Sequence, residues 1–251
     1  MKITFLGTGT STGVPEIGCQ CEVCTSKDPC DWRLRTSVLV ETEGKRILLD
    51  CGPDFRWQMI QSKTYQLDAV LISHEHYDHV GGLDDLRPFT RDKSVDIYAE
   101  ENVAEAIRTR IPYVFREHKY PGVPKLELHD IDNTPFVAAG LPIVPVRVMH
   151  GRLPILGYRI GNMAYLTDLK SLPEEEFAKL QGLDVLILTA LRKGEHPAHE
   201  SLDEALALIE RLRPKEAFLI HMSHRIGLHA EVEKMLPEHV HLAYDGLVHP
   251  V

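Results

Sequence analysis

The sequence predicts a layered α/β (α+β) fold in which two mixed β-sheets pack face to face and helices cover their outer faces. Three observations predict it. Short apolar runs of strand length recur from one end of the chain to the other, and helix-length segments fall between only some of them. A chain with so many strands must bury one face of each sheet against the other and shelter the remaining faces under helices. The composition, 43% hydrophobic and 26% charged, is that of a globular protein with a real core. At 251 residues the chain exceeds the usual domain size, but layered α/β folds reach this length as one unit. No linker, low-complexity tract or charge block interrupts it, so residues 1–251 are expected to form a single domain.

Taken in order, strands are expected at 2–6, 36–41, 46–50, 69–73, 95–99, 142–148, 157–160, 163–166, 185–189, 217–220 and 241–243. Helices are expected at 54–62, 80–86, 102–110, 174–180, 201–212 and 229–236. The opening Met1-Lys2-Ile3-Thr4-Phe5-Leu6-Gly7 lacks the long apolar stretch of a signal peptide and reads as the first strand. Ser201-Leu202-Asp203-Glu204 is a capping signature, a hydroxyl followed three residues later by a carboxylate. Glu174-Glu175-Glu176 reads as a solvated helix start, with negative charge where the helix dipole favours it. The stretch 111–135 holds four prolines and reads as a covering loop or an interface element.

The chemistry concentrates in Leu71-Ile72-Ser73-His74-Glu75-His76-Tyr77-Asp78-His79-Val80-Gly81-Gly82, which sets three imidazoles and a carboxylate within six residues after a buried strand. Residues two apart in an extended segment point the same way, so His74 and His76 can converge on one metal ion. If the chain turns into a helix at Asp78, then Asp78 and His79 point elsewhere and can serve a second ion. Imidazole with carboxylate is the ligand set of zinc, manganese or iron rather than calcium. A solvated histidine-rich loop would fit this stretch alone. Against it, His150, Asp168 and His221 each end an apolar strand directly, where a sheet edge delivers side chains into a shared cleft.

The pattern His74-x-His76-x-Asp78-His79 followed by His150, Asp168 and His221 resembles the binuclear site of the metallo-β-lactamase superfamily, as does the opening Phe5-Leu6-Gly7-Thr8-Gly9. The resemblance implies a four-layer αββα sandwich. It implies one ion held by His74, His76 and His150, a second held by Asp78, His79 and His221, and Asp168 bridging the two. Such sets leave a coordination position open for a water. Within the superfamily the chain resembles the phosphoribosyl cyclic phosphodiesterase (PhnP-like) branch, which adds a Cys-x-Cys-x-x-Cys insert after the first strand. Cys19, Cys21 and Cys24 match that insert, and His224, three residues after His221, matches its fourth zinc ligand. Three thiolates with one imidazole make a closed tetrahedral site, structural rather than catalytic. Inert packing or a redox switch is the competing reading of these cysteines. Cys30 and Cys51 have no evident partners and read as inert thiols.

His196-Pro197-Ala198-His199-Glu200-Ser201 resembles the motif in superfamily phosphodiesterases whose histidine acts as general acid. His199 aligns better than His196 because it lies two residues before the capping Ser201. It can protonate a leaving alkoxide near neutral pH; a surface histidine at a helix start is the plain alternative. The glycines of Gly7-Thr8-Gly9-Thr10-Ser11-Thr12-Gly13 do not form a phosphate loop, since the Gly-Lys-Ser/Thr ending is missing. Arg33, Arg35, Arg152 and Arg192 are candidates to grip a phosphate, but structural roles weigh as much, and none enters the site set.

The expected activity is hydrolysis of a small cyclic phosphodiester, ribosyl or nucleoside, by a metal-bridging hydroxide oriented by Asp78 and Asp168. The cofactors implied are two catalytic divalent ions, manganese or zinc with iron or nickel as options, and one structural zinc. Rival readings are a tRNA 3′-processing nuclease, a thiolester or lactam hydrolase, and a non-catalytic relative of the PqqB type. A net charge of −9 disfavours non-specific nucleic-acid binding, which needs a basic surface. No apolar run approaches the length of a membrane span. Cytoplasmic location is the default expectation; family analogy alone makes a homodimer plausible, and the sequence does not fix the oligomeric state.

Overall fold

The computed structural model describes residues 1–251. Its strands, in chain order, are β1 (Lys2–Gly7), β2 (Ser37–Thr42), β3 (Lys45–Leu49), β4 (Ala69–Leu71), β5 (Val95–Glu100) and β6 (Leu126–Ile131). There follow β7 (Phe136–Ala138), β8 (Leu141–His150), β9 (Leu153–Ile160), β10 (Met163–Leu166) and β11 (Val185–Thr189). The last are β12 (Glu216–Ile220), β13 (Val240–Leu242) and β14 (Val248–Pro250). The helices are α1 (Phe55–Ser62), α2 (Tyr77–Val80), α3 (Glu101–Arg110), α4 (Pro112–Phe115), α5 (Leu202–Leu212) and α6 (His229–Val232).

Two seven-stranded sheets result, ordered β14-β1-β2-β3-β4-β5-β6 and β13-β12-β11-β10-β9-β8-β7. Both are mixed in the same way. Strands β14 to β3 pair antiparallel and β3 to β6 parallel, while β7 to β10 pair antiparallel and β10 to β13 parallel. Ile3, Phe5, Tyr158, Tyr165 and Phe218 fill the space between the sheets. Leu48, Val70 and Ile97 face Phe55, Val103 and Ile107 beneath α1 and α3. Leu186, Leu188 and Leu219 face Leu202, Ala205 and Ile209 beneath α5. The layers are therefore αββα. Central strands are covered on both faces, which is why β11 is buried at all five positions and reads as a continuous apolar run.

The capping signature is realised: the Glu204 N–H donates to Ser201 Oγ and the Ser201 N–H donates to Glu204 Oε2. Three expected helices differ. Residues 80–86 give only the end of α2 and then a tight 3₁₀ run, Leu83–Thr90, because Gly81-Gly82 and Pro88 oppose a regular helix. Residues 174–180 form a 3₁₀ run, and 229–236 divide into α6 and a turn of 3₁₀ helix at Glu233–Met235. Strands β6, β7 and β14 are additional. They lie at sheet edges: β6 carries charge and β14 a proline, which edges tolerate, and the apolar β7 is only three residues long. The stretch 111–135 accordingly contains α4 and β6.

The site lies at the carboxyl ends of the parallel strands, the usual place for chemistry in such sheets. Asp50, Asp168 and His221 follow β3, β10 and β12, and all three have positive φ, 60°, 52° and 56°. A left-handed residue ends the strand abruptly and costs of order 1 kcal/mol without glycine. Three such residues converge on one cleft.

Candidate metal centre

After β4 the chain stays extended as far as His76 (φ −60°, ψ 147°), which immediately precedes α2. His74 and His76 therefore share a side, with His74 Nε2 and His76 Nδ1 2.9 Å apart. His150, the last residue of β8, brings its ring centroid to 5.6 Å from His74 and 5.3 Å from His76. The first turn of α2 redirects Asp78 and His79 to meet His221 from β12. His79 Nε2 lies 3.2 Å and His221 Nε2 3.5 Å from Asp78 Oδ2.

Asp168 joins the two sets. Its Oδ1 is 3.3 Å from His79 Nε2 and 3.1 Å from His221 Nε2. Its Oδ2 is 3.7 Å from His74 Nε2 and 3.9 Å from His150 Nε2. Each set of four offers ligand atoms within 4.8 Å of one another. All seven residues expected at the centre are thus brought together.

The donors fit cations. Two nitrogens about 2.0 Å from one tetrahedral ion lie about 3.3 Å apart, close to the observed spacings. His79 Nε2 is fully buried and has no hydrogen-bond partner, a costly arrangement unless a cation takes it up. Burial alone would raise the carboxyls of Asp78 and Asp168, yet the neighbouring imidazoles hold both well below the usual carboxylate range. Two buried carboxylates kept ionised are the anionic donors that divalent ions take up, with the imidazoles then serving as neutral ligands.

A supporting shell orients these candidate ligands. Asp50, wholly buried, accepts from the Ser73 N–H at 2.8 Å, Ser73 Oγ at 2.9 Å, His79 Nδ1 at 2.8 Å and the Tyr165 hydroxyl at 2.7 Å. That fixes the His79 tautomer with Nε2 facing inward. His150 Nδ1 donates to the Ala198 carbonyl at 2.8 Å, which does the same for His150. Gly82 lets α2 press onto the turn after β3: a Cβ there would sit 2.1 Å from the Gly52 carbonyl oxygen.

His199 stacks on His221 with centroids 5.0 Å apart and leans on His150 at 4.5 Å. Its Nδ1, buried and unpartnered, faces Asp168 Oδ2 at 3.9 Å. Burial, with His221 beside it, pushes this imidazole down to about 3, so it rests neutral. His196 lies further out, 5.1 Å from His199. The cage opens towards solvent on the side where His76 is exposed.

The second cluster is also assembled. Cys19, Cys21 and Cys24 place their sulfurs 3.1, 3.4 and 3.3 Å from His224 Nδ1. A zinc tetrahedron with bonds of about 2.3 and 2.0 Å puts sulfur and nitrogen about 3.5 Å apart. The Cys24 N–H draws the Cys21 thiol down to about 7, whereas burial pushes Cys24 up to about 12. The buried thiolate would need a cation beside it. Met222, between the two clusters, pairs with Thr8 and Thr10 through backbone bonds of 3.0 Å. The early loop and the His221 turn are one unit.

Arg33 is structural: it is buried, and its Nη1 donates to Thr8 Oγ1 and the Ala243 carbonyl. Arg35 pairs with Asp54 at 3.3 Å, and Arg192 donates to the Glu195 carbonyl. Sequence reasoning overlooked Asp50. The signal was present, since Asp50 ends an apolar strand just as Asp168 and His221 do.

Comparison with known proteins accords with this geometry. Residues 45–222 match the family model described as a β-lactamase superfamily domain. A solved diphosphatase from the PhnP family is 39% identical and superposes with a TM-score of 0.93, covering 100% of this chain and 97% of that one. Zn²⁺-bound PqqB from Methylobacterium extorquens shares the fold at TM-score 0.80 and 20% identity, with both chains fully covered. The octanoyltransferase of Porphyromonas gingivalis is 50% identical over 250 residues, which are 98% of this chain but 51% of that protein. This chain therefore spans about half the length of that relative. By the matched model, the layered sheets and the 39% identity over the full chain, the protein belongs to the metallo-β-lactamase superfamily, in the branch that holds the PhnP-family diphosphatase.

Proposed function

We propose that the protein is a two-cation phosphodiesterase acting on a small, cyclic ribosyl or nucleoside phosphodiester. The observation that carries the reading is Asp168, whose two oxygens are divided between two histidine-rich ligand sets, with His199 standing free beside them. Held by His74, His76, His150 and by Asp78, His79, His221, with Asp168 common to both, two divalent ions would supply Lewis acidity and activate a water at neutral pH. Manganese and zinc both suit these donors, as do iron and nickel.

The chain's own groups account for the rest. The phosphate enters on the open side, beside His76 and His150. Asp78 and Asp168 hold the reacting centre in line and stay acceptors throughout. His199 is neutral at rest and takes up a proton from solvent when the added negative charge of the bound phosphate raises its pKa. From Nδ1 it then hands a proton to the departing oxygen.

The PhnP-family diphosphatase supports a second substrate, a diphosphate ester. A departing phosphate needs no proton, whereas a departing alkoxide does. Removing the imidazole in His199→Ala should therefore slow cyclic phosphodiester turnover by about 10² to 10⁴ and diphosphate cleavage much less, at unchanged metal content. His76→Ala should abolish both through metal loss. The assay is turnover of cyclic phosphodiesters, linear phosphodiesters and diphosphate esters with added Mn²⁺ or Zn²⁺, beside a tRNA precursor, a thiolester and a lactam. Turnover confined to the last three substrates overturns the reading. The octanoyl transfer of the Porphyromonas relative is not carried over, since this chain matches only half of it.

A further inference from the structure

On the outer face of the first sheet, α1 and the segment 29–34 stand apart above β14, β1 and β2 and leave an open cavity of about 540 Å³. That volume lies within the range of small-molecule sites. Thr4 and Leu6 of β1 and Leu39 of β2 line it, while their neighbours Ile3, Val38 and Val40 turn the other way, into the space between the sheets. None of its lining residues belongs to either ligand set of the metal centre. Both tryptophans of the chain line it, although Trp32 is 56% and Trp57 50% exposed. Large apolar rings left open together mark a surface that binds something.

The chain sets both rings in place. Trp57 stands on α1, and the Trp32 indole N–H donates to the Ser26 carbonyl at 3.1 Å. Gln58, the residue after Trp57, is buried and lines the same cavity. Its Nε2 donates to the Arg35 carbonyl at 2.9 Å, which leaves Oε1 as a buried acceptor without a partner. Such atoms are rare in folded chains, and an N–H on the edge of a flat ring is the donor this one lacks. At the buried end, Arg33 is bonded to Thr8 and the Ala243 carbonyl, and Asp245 to Thr8 and the Leu34 N–H. Towards the start of β1 the cavity runs into a second cleft of about 390 Å³, which shares Lys2, Glu41 and Thr64 with it and adds Arg46 and Lys63. Glu41 pairs with both Lys2 and Arg46, so three cations face one carboxylate and Lys63 has no acidic partner. On a chain of net charge −9, such a cleft favours an anion.

We propose that Trp32, Trp57 and Gln58 receive the base of a nucleotide and that the cleft of Lys2, Arg46 and Lys63 receives its phosphate, at a site separate from the metal centre. A flat ring with N–H donors, joined to a phosphate, uses every one of these features. Because the chain has no other tryptophan, indole emission reports on this cavity. AMP or GMP titrated into the metal-loaded protein should quench that emission saturably, since bases stack on aromatic rings with little regard to identity. Ribose 5-phosphate, followed by its displacement of AMP, should bind at least about 10-fold more weakly than AMP. Adenosine, which lacks the phosphate, should bind about 3-fold more weakly or less tightly still. Trp57→Ala, read through Trp32, should weaken AMP about 10-fold. Lys63→Gln should weaken AMP about 3-fold and leave adenosine within about 2-fold.

His76→Ala, which disables the metal centre, should leave the quenching intact, so the result does not depend on the phosphodiesterase reading. Thermal midpoints confirm that each variant is folded; should Trp57→Ala unfold, Lys63→Gln, at the exposed end of α1, decides the matter. Emission that neither nucleotide alters, equal affinities for AMP and adenosine, undiminished affinity in a folded Trp57→Ala, or quenching lost in His76→Ala overturns the site. Emission that shifts with protein concentration instead assigns this face to a second copy of the chain, and overturns it as well.

Discussion

Asp50→Asn tests the reasoning about the metal centre without touching a ligand. The change keeps the side chain's shape, and Asn tolerates the left-handed backbone that Asp50 adopts (φ 60°) as well as Asp does. Yet both carboxylate oxygens face donors. Oδ1 takes the Ser73 N–H, while Oδ2 takes Ser73 Oγ, His79 Nδ1 and the Tyr165 hydroxyl. An amide must place its NH₂ against one of these groups. The less damaging choice loses the Ser73 bond and sets donor against donor. Hydrogen bonds to a buried charge contribute about 1.5–3 kcal/mol each, so the loss should be about 2–4 kcal/mol in urea unfolding. His79 also loses the anion that orients its ring, and loss of such a partner weakens metal affinity about 10- to 100-fold. The Asp78–His79–His221 set should give up its ion first, measured by elemental analysis after graded chelation. Tyr165→Phe is the control, costing about 1 kcal/mol with metal affinity nearly intact. Lower stability with wild-type metal affinity in Asp50→Asn would refute the orienting role.

Two further predictions concern the loops and the helix entry. Cys21→Ser should remove one equivalent of zinc and lower the thermal midpoint. It should also reduce turnover without altering the catalytic ligands, because His224 and His221 share one turn; full retention of zinc by the variant would exclude Cys21 as a ligand. Burial, with Glu204 nearby, raises Glu200 to about 8, above its unfolded value, so the folded chain holds this proton longer. Stability should fall as pH rises from about 4.5 towards 8, by at most a few kcal/mol, and Glu200→Gln should flatten that slope. Chemical denaturation at pH 5, 6.5 and 8 measures it, and identical slopes in both proteins would discard the argument.

Much of the candidate centre was legible because the side chains that form it obey short-range rules. Alternation in an extended segment pairs His74 with His76, the helical turn after it turns Asp78 and His79 away, and polar residues closing apolar strands flag His150, Asp168 and His221. The central strands were legible for a related reason: burial on both faces leaves continuous apolar runs. The edges were not. Strands β6, β7 and β14 pair on one side only; charge enters β6 and proline β14, β7 is only three residues long, and the existence of each depends on a neighbouring strand that local sequence does not describe. The helix expected at 80–86 failed because Gly82 serves a contact with Gly52, distant in sequence, rather than a local helical preference.

What the sequence determined by itself is the inventory: which donors, on which strand ends, with which spacing, and hence which superfamily. Tertiary structure alone decided how they are shared. That Asp168 turns one oxygen to each ligand set, that Asp50 fixes the tautomer of His79, and that Trp32 and Trp57 come to line one cavity all require elements far apart in the chain to meet at set distances. The physical reason is that coordination and stacking depend on position to within a fraction of an ångström, and such precision exists only once both sheets and their helices have packed.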